Sequence, residues 1–229
     1  EGGEIRAIMD EDWCHAVRTA AAAAVAMRVL ARKESAVMAM LGAGDTARAA
    51  VPVMTRAFAL KEIRVTSRTP ESRQKYAREV GGHYGLNIRP VDSTEEALKG
   101  ADLVVSATTT STPFVKDQWL GQGITVYSIG KNQEMESEVY KKADKFVVDS
   151  WVHCKNKSDM QRMLKENFLS EKDFYAELPE LLSGKKPARE SDGERIFIRA
   201  IGLVNQDIAL ANHIYHSALE SGIGMVLPF

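Results

Sequence analysis

The chain has 229 residues, enough to bury a full core in one large or two small domains. Thirty basic residues against thirty-one acidic ones leave a net charge of -1, which excludes the strong field of a nucleic-acid or anionic-membrane binder. The longest apolar stretch, residues 19–27, is mostly alanine and too short to span a bilayer, and the first residues do not resemble a signal peptide, so a soluble, cytoplasmic protein is expected.

Residues 4–9 read as a short strand, and residues 13–32 as a long alanine-rich helix whose small side chains let another backbone pack close. An apolar run over 36–41 is the next strand; it stops at Gly42-Ala43-Gly44 and turns helical through Asp45, Thr46 and Ala47 as far as residue 58. A strand over 62–66 and a helix over 70–80 follow, then a short helix over 93–98 with the look of a capping arrangement. Strands are expected at 101–107 and 123–130, and a helix at 133–142. Beyond residue 150 the character changes: residues 155–173 are polar and charged, 178–184 form a short helix closed by Gly184, and 185–194 are a loop. A strand at 196–198, a break at Gly202 and a strong helix over 203–219 complete the chain. Strands alternating with helices predict an α/β fold built on a Rossmann-type doubly wound parallel sheet.

The first strand-turn-helix carries the chemistry of dinucleotide binding. Gly42 permits the tight turn, Gly44 lets the backbone approach a pyrophosphate, and Ala47 allows close helix–strand packing, while the helix start at Asp45 and Thr46 receives the negative charge. After the second strand a carboxylate would normally bond the ribose 2′-hydroxyl of NAD, but Ser67-Arg68-Thr69 stands there instead. Arg68 can pair with a 2′-phosphate and the two hydroxyls can donate to it, so NADP(H) is favoured over NAD(H). Ala107, Thr108 and Thr109 lie at the carboxyl end of a parallel strand, where cofactors bind in open α/β sheets. Cys14 and Cys154 have no metal-ligand spacing and read as reduced thiols. Of the five histidines, only His213 and His216 stand three apart, and they read as one helix surface, so no metal is expected.

Arg18-Thr19-Ala20-Ala21, Leu41-Gly42-Ala43-Gly44 with Ala47-Arg48-Ala49, and Val65-Thr66-Ser67-Arg68-Thr69-Pro70 recur in order with further segments. These include Gly100-Ala101-Asp102-Leu103-Val104-Val105, Ser128-Ile129-Gly130, Val147-Val148-Asp149-Ser150 and Ile201-Gly202-Leu203 with Gln206-Asp207. Together they resemble the ornithine cyclodeaminase and μ-crystallin family over nearly the whole chain. The resemblance implies an NAD- or NADP-dependent enzyme that interconverts amino acids with imines or keto acids. It also implies a bilobed, homodimeric subunit: a Rossmann domain over 35–200, with 1–34 and 201–229 belonging to a smaller α+β substrate and dimerisation domain. Residues 1–9 resemble the last strand of that domain. The family's upstream part, with a lysine beside the substrate, is therefore expected as a further segment or a companion chain.

By the same resemblance, Arg18 clamps the substrate carboxylate and Thr19 contacts the nicotinamide side. Ile129 and Gly130, with Ala107 to Thr109, face the ribose and nicotinamide, and Gly202 is a further cofactor contact. Asn132 stands where the cyclodeaminases and dehydrogenases carry an aspartate, and is the candidate catalytic and substrate-binding residue. Asparagine has the same shape but cannot ionise, so it cannot neutralise an ammonium or act as a general base. The leading expectation is an NADP(H)-dependent reductase of an imine or imino acid; a cyclodeaminase-type lyase and a non-catalytic, crystallin-like nucleotide binder are the alternatives.

Overall fold

The computed structural model describes residues 3–130 and 132–227. Helix α1 (Glu11–Leu30) opens on Asp10, whose side chain accepts the backbone N–H of Trp13, and Glu11 and Asp12 put negative charge in its first turn. Its buried Ala20, Ala23, Ala24 and Ala26 let it lie close against α2 (Asp45–Ala57). The remaining elements are β1 (Val37–Leu41), β2 (Glu62–Thr66), α3 (Pro70–Tyr84), β3 (Ile88–Pro90), α4 (Thr94–Leu98), β4 (Leu103–Ser106) and β5 (Thr125–Ser128). Then come α5 (Ser137–Lys142), β6 (Lys145–Val148), α6 (Trp151–Cys154), α7 (Ser158–Lys165), β7 (Ala176–Glu177), α8 (Leu178–Leu182), β8 (Ile196–Arg199) and α9 (Val204–Ser221).

All the strands pair in parallel in the order β3-β2-β1-β4-β5-β8-β6-β7. Successive strand residues point to opposite faces, so each strand feeds two cores. Met38, Met40, Val65, Val105, Tyr127 and Ile198 join the α1 side with Met27 and Leu30. Leu41, Val104, Val126, Phe146 and Phe197 join the other with Tyr140 and Met160. Burial on both faces is what the continuous apolar runs of a parallel sheet require. The strand order reverses between β1 and β4, which opens a crevice at their carboxyl ends.

Several expectations are corrected. Residues 3–10 form no strand, and Ile5 and Ile8 are exposed, because no neighbouring strand among the described residues pairs with them; Glu1 and Gly2 lie outside the described residues. The helix expected from Gln133 starts only at Ser137, since Gln133, Glu134 and Met135 are buried and the Glu134 carbonyl accepts the N–H groups of Phe114 and Val115. Helix α3 runs past residue 80 to Tyr84 and stops at Gly85, which has a left-handed backbone with φ 65°. Strands β3, β6 and β7, of two to four residues each, and helix α7 in the polar stretch were not anticipated, being too short or too polar for periodicity to register.

Candidate active site

A cleft of about 600 Å³ opens at the carboxyl ends of β1, β2 and β4. Gly42, Gly44, Ser67, Arg68, Thr69, Ala107, Thr108 and Thr109 all line it, with Thr110 and Phe114. Gly42 has φ 113°, donates its N–H to the Thr66 carbonyl at 2.9 Å, and passes so near β4 that an added Cβ would lie 2.4 Å from the Ala107 carbonyl oxygen. Gly44 is the N-cap of α2 without a side-chain bond, and a Cβ there would meet nothing within 4 Å. The helix start therefore presents open N–H groups and room for an anion. Ala47 is fully buried, and its carbonyl accepts the Tyr76 hydroxyl at 2.6 Å, which pins α2 to α3.

Neither Asp45 nor Thr46 is among the residues lining the cleft. Asp45 instead borders a groove between α1 and α2 with Trp13, Arg48 and Arg56, because the first helical side chain points away from the phosphate turn. Beyond β2, Thr69 accepts the N–H of Ser72 and caps α3, while Ser67 shares a 2.6 Å hydrogen bond with the Ser72 hydroxyl. Buried Arg73 donates to the Ser67 carbonyl at 3.3 Å and to Asp92 at 2.5 Å, holding this turn from behind. Arg68 is exposed on the rim, and no acidic side chain lines this end of the cleft among the described residues.

The loops after β4 and β5 meet at a residue the sequence reading passed over. Glu134 is 1% exposed, and its carboxylate accepts from the N–H and hydroxyl of Thr108 and from Ser128 and Gly130. Gly130 is needed there because an added Cβ would overlap the Glu134 carboxyl carbon at 2.2 Å. Partly buried Ile129 donates its N–H to the Ser106 carbonyl at 2.8 Å. Asn132 donates its side-chain amide to the Thr110 carbonyl at 2.9 Å, which leaves its side-chain oxygen as an acceptor.

Arg18 and Gly202 form a second group where α1 meets the start of α9. Arg18 donates Nε to Asp207 at 2.6 Å and Nη1 to Gln206 at 3.3 Å, and its Nη2 lies 2.9 Å from His15 Nδ1. The turn beneath it is built on buried Asp149, whose Oδ2 accepts the N–H groups of Ile201 at 2.9 Å and Gly202 at 2.7 Å. Burial pushes the Asp149 carboxyl above its ordinary value, against the pull of those hydrogen bonds. Thr19 is buried on α1, and its hydroxyl has no hydrogen-bond partner among the described residues. A buried hydroxyl left unpaired costs free energy, and Thr19 is not among the residues that line the cleft.

These features fit a dinucleotide: a phosphate turn with space at Gly44, and hydroxyls and a cation on the rim after β2. No group of three or more His, Cys, Asp or Glu side chains that could hold a metal ion occurs among the described residues. Nor is any helix among them long and apolar enough to cross a membrane.

Comparison with known proteins agrees. The model of the ornithine cyclodeaminase/mu-crystallin family matches residues 1–222. A Delta(1)-pyrroline-2-carboxylate reductase of Bacillus cereus is 29% identical over the whole of this chain and 72% of its own length. The Thermococcus litoralis Delta(1)-pyrroline-2-carboxylate reductase, solved with NADH and L-proline, superposes with a TM-score of 0.89 at 33% identity, over 94% of this chain and 68% of that one. An archaeal alanine dehydrogenase dimer with bound NAD superposes with a TM-score of 0.86 at 29% identity, over 93% of this chain and 67% of that one. The chain belongs to the ornithine cyclodeaminase/μ-crystallin family.

Proposed function

We infer that the chain is a nicotinamide-dependent oxidoreductase of the imine- and imino-acid-reducing kind, acting between the cofactor and the α-carbon of a small imino or amino acid. The observation that carries this is the cleft at the β1–β4 reversal, walled by Gly42, Gly44, Ser67 to Thr69 and Ala107 to Thr109, in a member of this family. The bound nicotinamide supplies the hydride. Arg18 holds the substrate carboxylate: Asp207 takes its Nε, while the outer nitrogens contact Gln206 and His15, neither of them a carboxylate, so that a substrate carboxylate displaces them. The side-chain oxygen of Asn132, unpaired among the described residues, accepts a hydrogen bond from a protonated imine nitrogen, and its inability to ionise favours a preformed imine over an ammonium. Arg68 and its neighbouring hydroxyls, with no acid beside them, support NADP(H) over NAD(H), although the solved relatives above hold NAD or NADH.

The ends of the chain belong to a substrate and dimerisation domain in this reading. Helix α9 buries none of its residues and exposes Val204, Ile208 and Leu219, and Ile5 and Ile8 are exposed too; an apolar surface of this kind is covered by a further segment or a second subunit.

The test is to supply a cyclic imino acid with NADH or NADPH and follow loss of the reduced-nicotinamide absorbance. Turnover with amine product supports the reading. Ammonia release from ornithine without net cofactor change would replace it with a cyclodeaminase, and tight cofactor binding without turnover across an imine panel would leave a binding protein.

A further inference from the structure

Glu134 and Arg199 both hold the backbone of Gly130, one at its N–H and the other at its carbonyl. Glu134 Oε2 accepts the N–H of Gly130 at 3.0 Å, and Arg199 Nη1, on β8, donates to the Gly130 carbonyl at 2.6 Å. Arg199 Nη2 reaches the Asn132 carbonyl at 3.4 Å, and its Nε lies 3.5 Å from buried Asp159. Glu134 Oε1 meanwhile accepts from Thr108 twice, from N at 2.8 Å and from Oγ1 at 2.7 Å, and Oε2 also accepts from Ser128 Oγ at 2.8 Å. Both side chains are essentially inaccessible and neither lines the cleft.

A buried charge is costly unless its hydrogen-bonding capacity is filled. Glu134 fills its own from the loop after β4, whose Thr108 lines the cleft, and from the loop after β5, which carries Asn132. Filling core volume alone would call for an apolar residue here. A carboxylate bonded to Thr108 and Gly130 together fixes the spacing of the two loops.

We propose that Glu134 is a positioning residue for hydride transfer: it locks Thr108 and Gly130 together and so sets where the nicotinamide end of the cofactor lies, while Arg199 holds the Gly130 and Asn132 carbonyls and so places Asn132. The proposal rests on the oxidoreductase reading above.

Glu134→Gln tests it. The shape is kept, but one of the two carboxyl oxygens becomes an amide NH2 facing the N–H of Thr108 or Gly130. The hydroxyls of Thr108 and Ser128 can rotate to accept; a backbone N–H cannot. Calorimetric affinity for ADP, which reaches only the Gly44 and Arg68 end, is expected to stay within about twofold of the unmodified protein, while affinity for the reduced dinucleotide falls about tenfold and kcat falls further. Should Glu134→Gln fail to fold, Arg199→Lys keeps the charge but loses the fork that spans Gly130 and Asn132, and the same split between ADP binding and kcat is expected. Unchanged dinucleotide affinity and turnover in the folded variant would overturn the proposal. So would equal losses of ADP and dinucleotide affinity with a lower melting temperature, which is the mark of a merely structural role. Failure of the oxidoreductase reading is distinguishable, because the unmodified protein would then reduce no imino acid with either cofactor, and the proposal would fall with it.

Discussion

Gly202 lies against the guanidinium of Arg18 so closely that a Cβ on it would be 2.6 Å from Arg18 Nη1. Its φ of 80° and the Asp149 bond to its N–H hold the turn that backs the arginine. Gly202→Ala is therefore expected to push Arg18 off its Asp207 partner. KM for a carboxylate substrate should rise about tenfold with a smaller change in kcat, and stability should fall by about 1–2 kcal/mol from backbone strain. Steady-state kinetics on the purified variant, with a melting curve, check both.

The two glycines of the phosphate turn should separate folding from binding. Gly42→Ala forces a Cβ against the Ala107 carbonyl at a left-handed φ, and is expected to cost roughly 2–4 kcal/mol of stability. Gly44→Ala meets open space, so its stability should stay within about 0.5 kcal/mol while cofactor affinity drops. Denaturation curves beside cofactor titrations would reveal the contrast; equal binding by Gly44→Ala and the unmodified protein would place the pyrophosphate elsewhere.

Arg68 is expected to confer preference for NADPH. Losing a charge-assisted pair to a 2′-phosphate should cost about tenfold to more than a hundredfold in NADPH affinity in Arg68→Ala, with NADH little affected. Equal affinities of the unmodified protein for the two cofactors would refute the preference.

Asn132→Asp sets a carboxylate oxygen against the Thr110 carbonyl that the amide now bonds at 2.9 Å. Reduction of a preformed imine should slow, and amine oxidation should gain relative to it, because an ionised partner for an ammonium is restored. Rates measured in both directions test the shift.

Acid stability should carry the signature of Glu62. A bidentate hydrogen bond from Arg64 at 2.8 Å on each oxygen, helped by Arg89, holds its carboxyl at about 2 against an ordinary 4.5. A lowered carboxylate stabilises the native state fully above the unfolded value, and the contribution is lost as pH falls from about 4.5 towards 2. Glu62→Gln should flatten the melting-temperature profile across that window and leave the neutral limb parallel to the unmodified protein's.

What the sequence determined by itself is local. Gly42, Gly44 and Ala47 are legible because a tight turn, a close approach and a short helix–strand distance each demand a particular small residue within a few positions. The runs at β1, β2, β4, β5 and β8 are legible because burial on both faces leaves a continuous apolar stretch. The place of Ser67 to Thr69 on the rim of the cleft follows from their position after β2. Tertiary structure decided the rest, since the partners are far apart along the chain. Glu134 looks like a residue of an early helix turn until Thr108 and Gly130 converge on it, and Arg199 looks like the end of a strand until Gly130, Asn132 and Asp159 surround it. Asp149 gains its task only when the turn at Gly202 returns beside it, and Arg18 meets Asp207 only when α9 packs back on α1. Residues 4–9 show the same limit from the other side: their strand pattern stays unrealised because a strand's hydrogen bonds belong to its neighbour, and none pairs with them among the described residues.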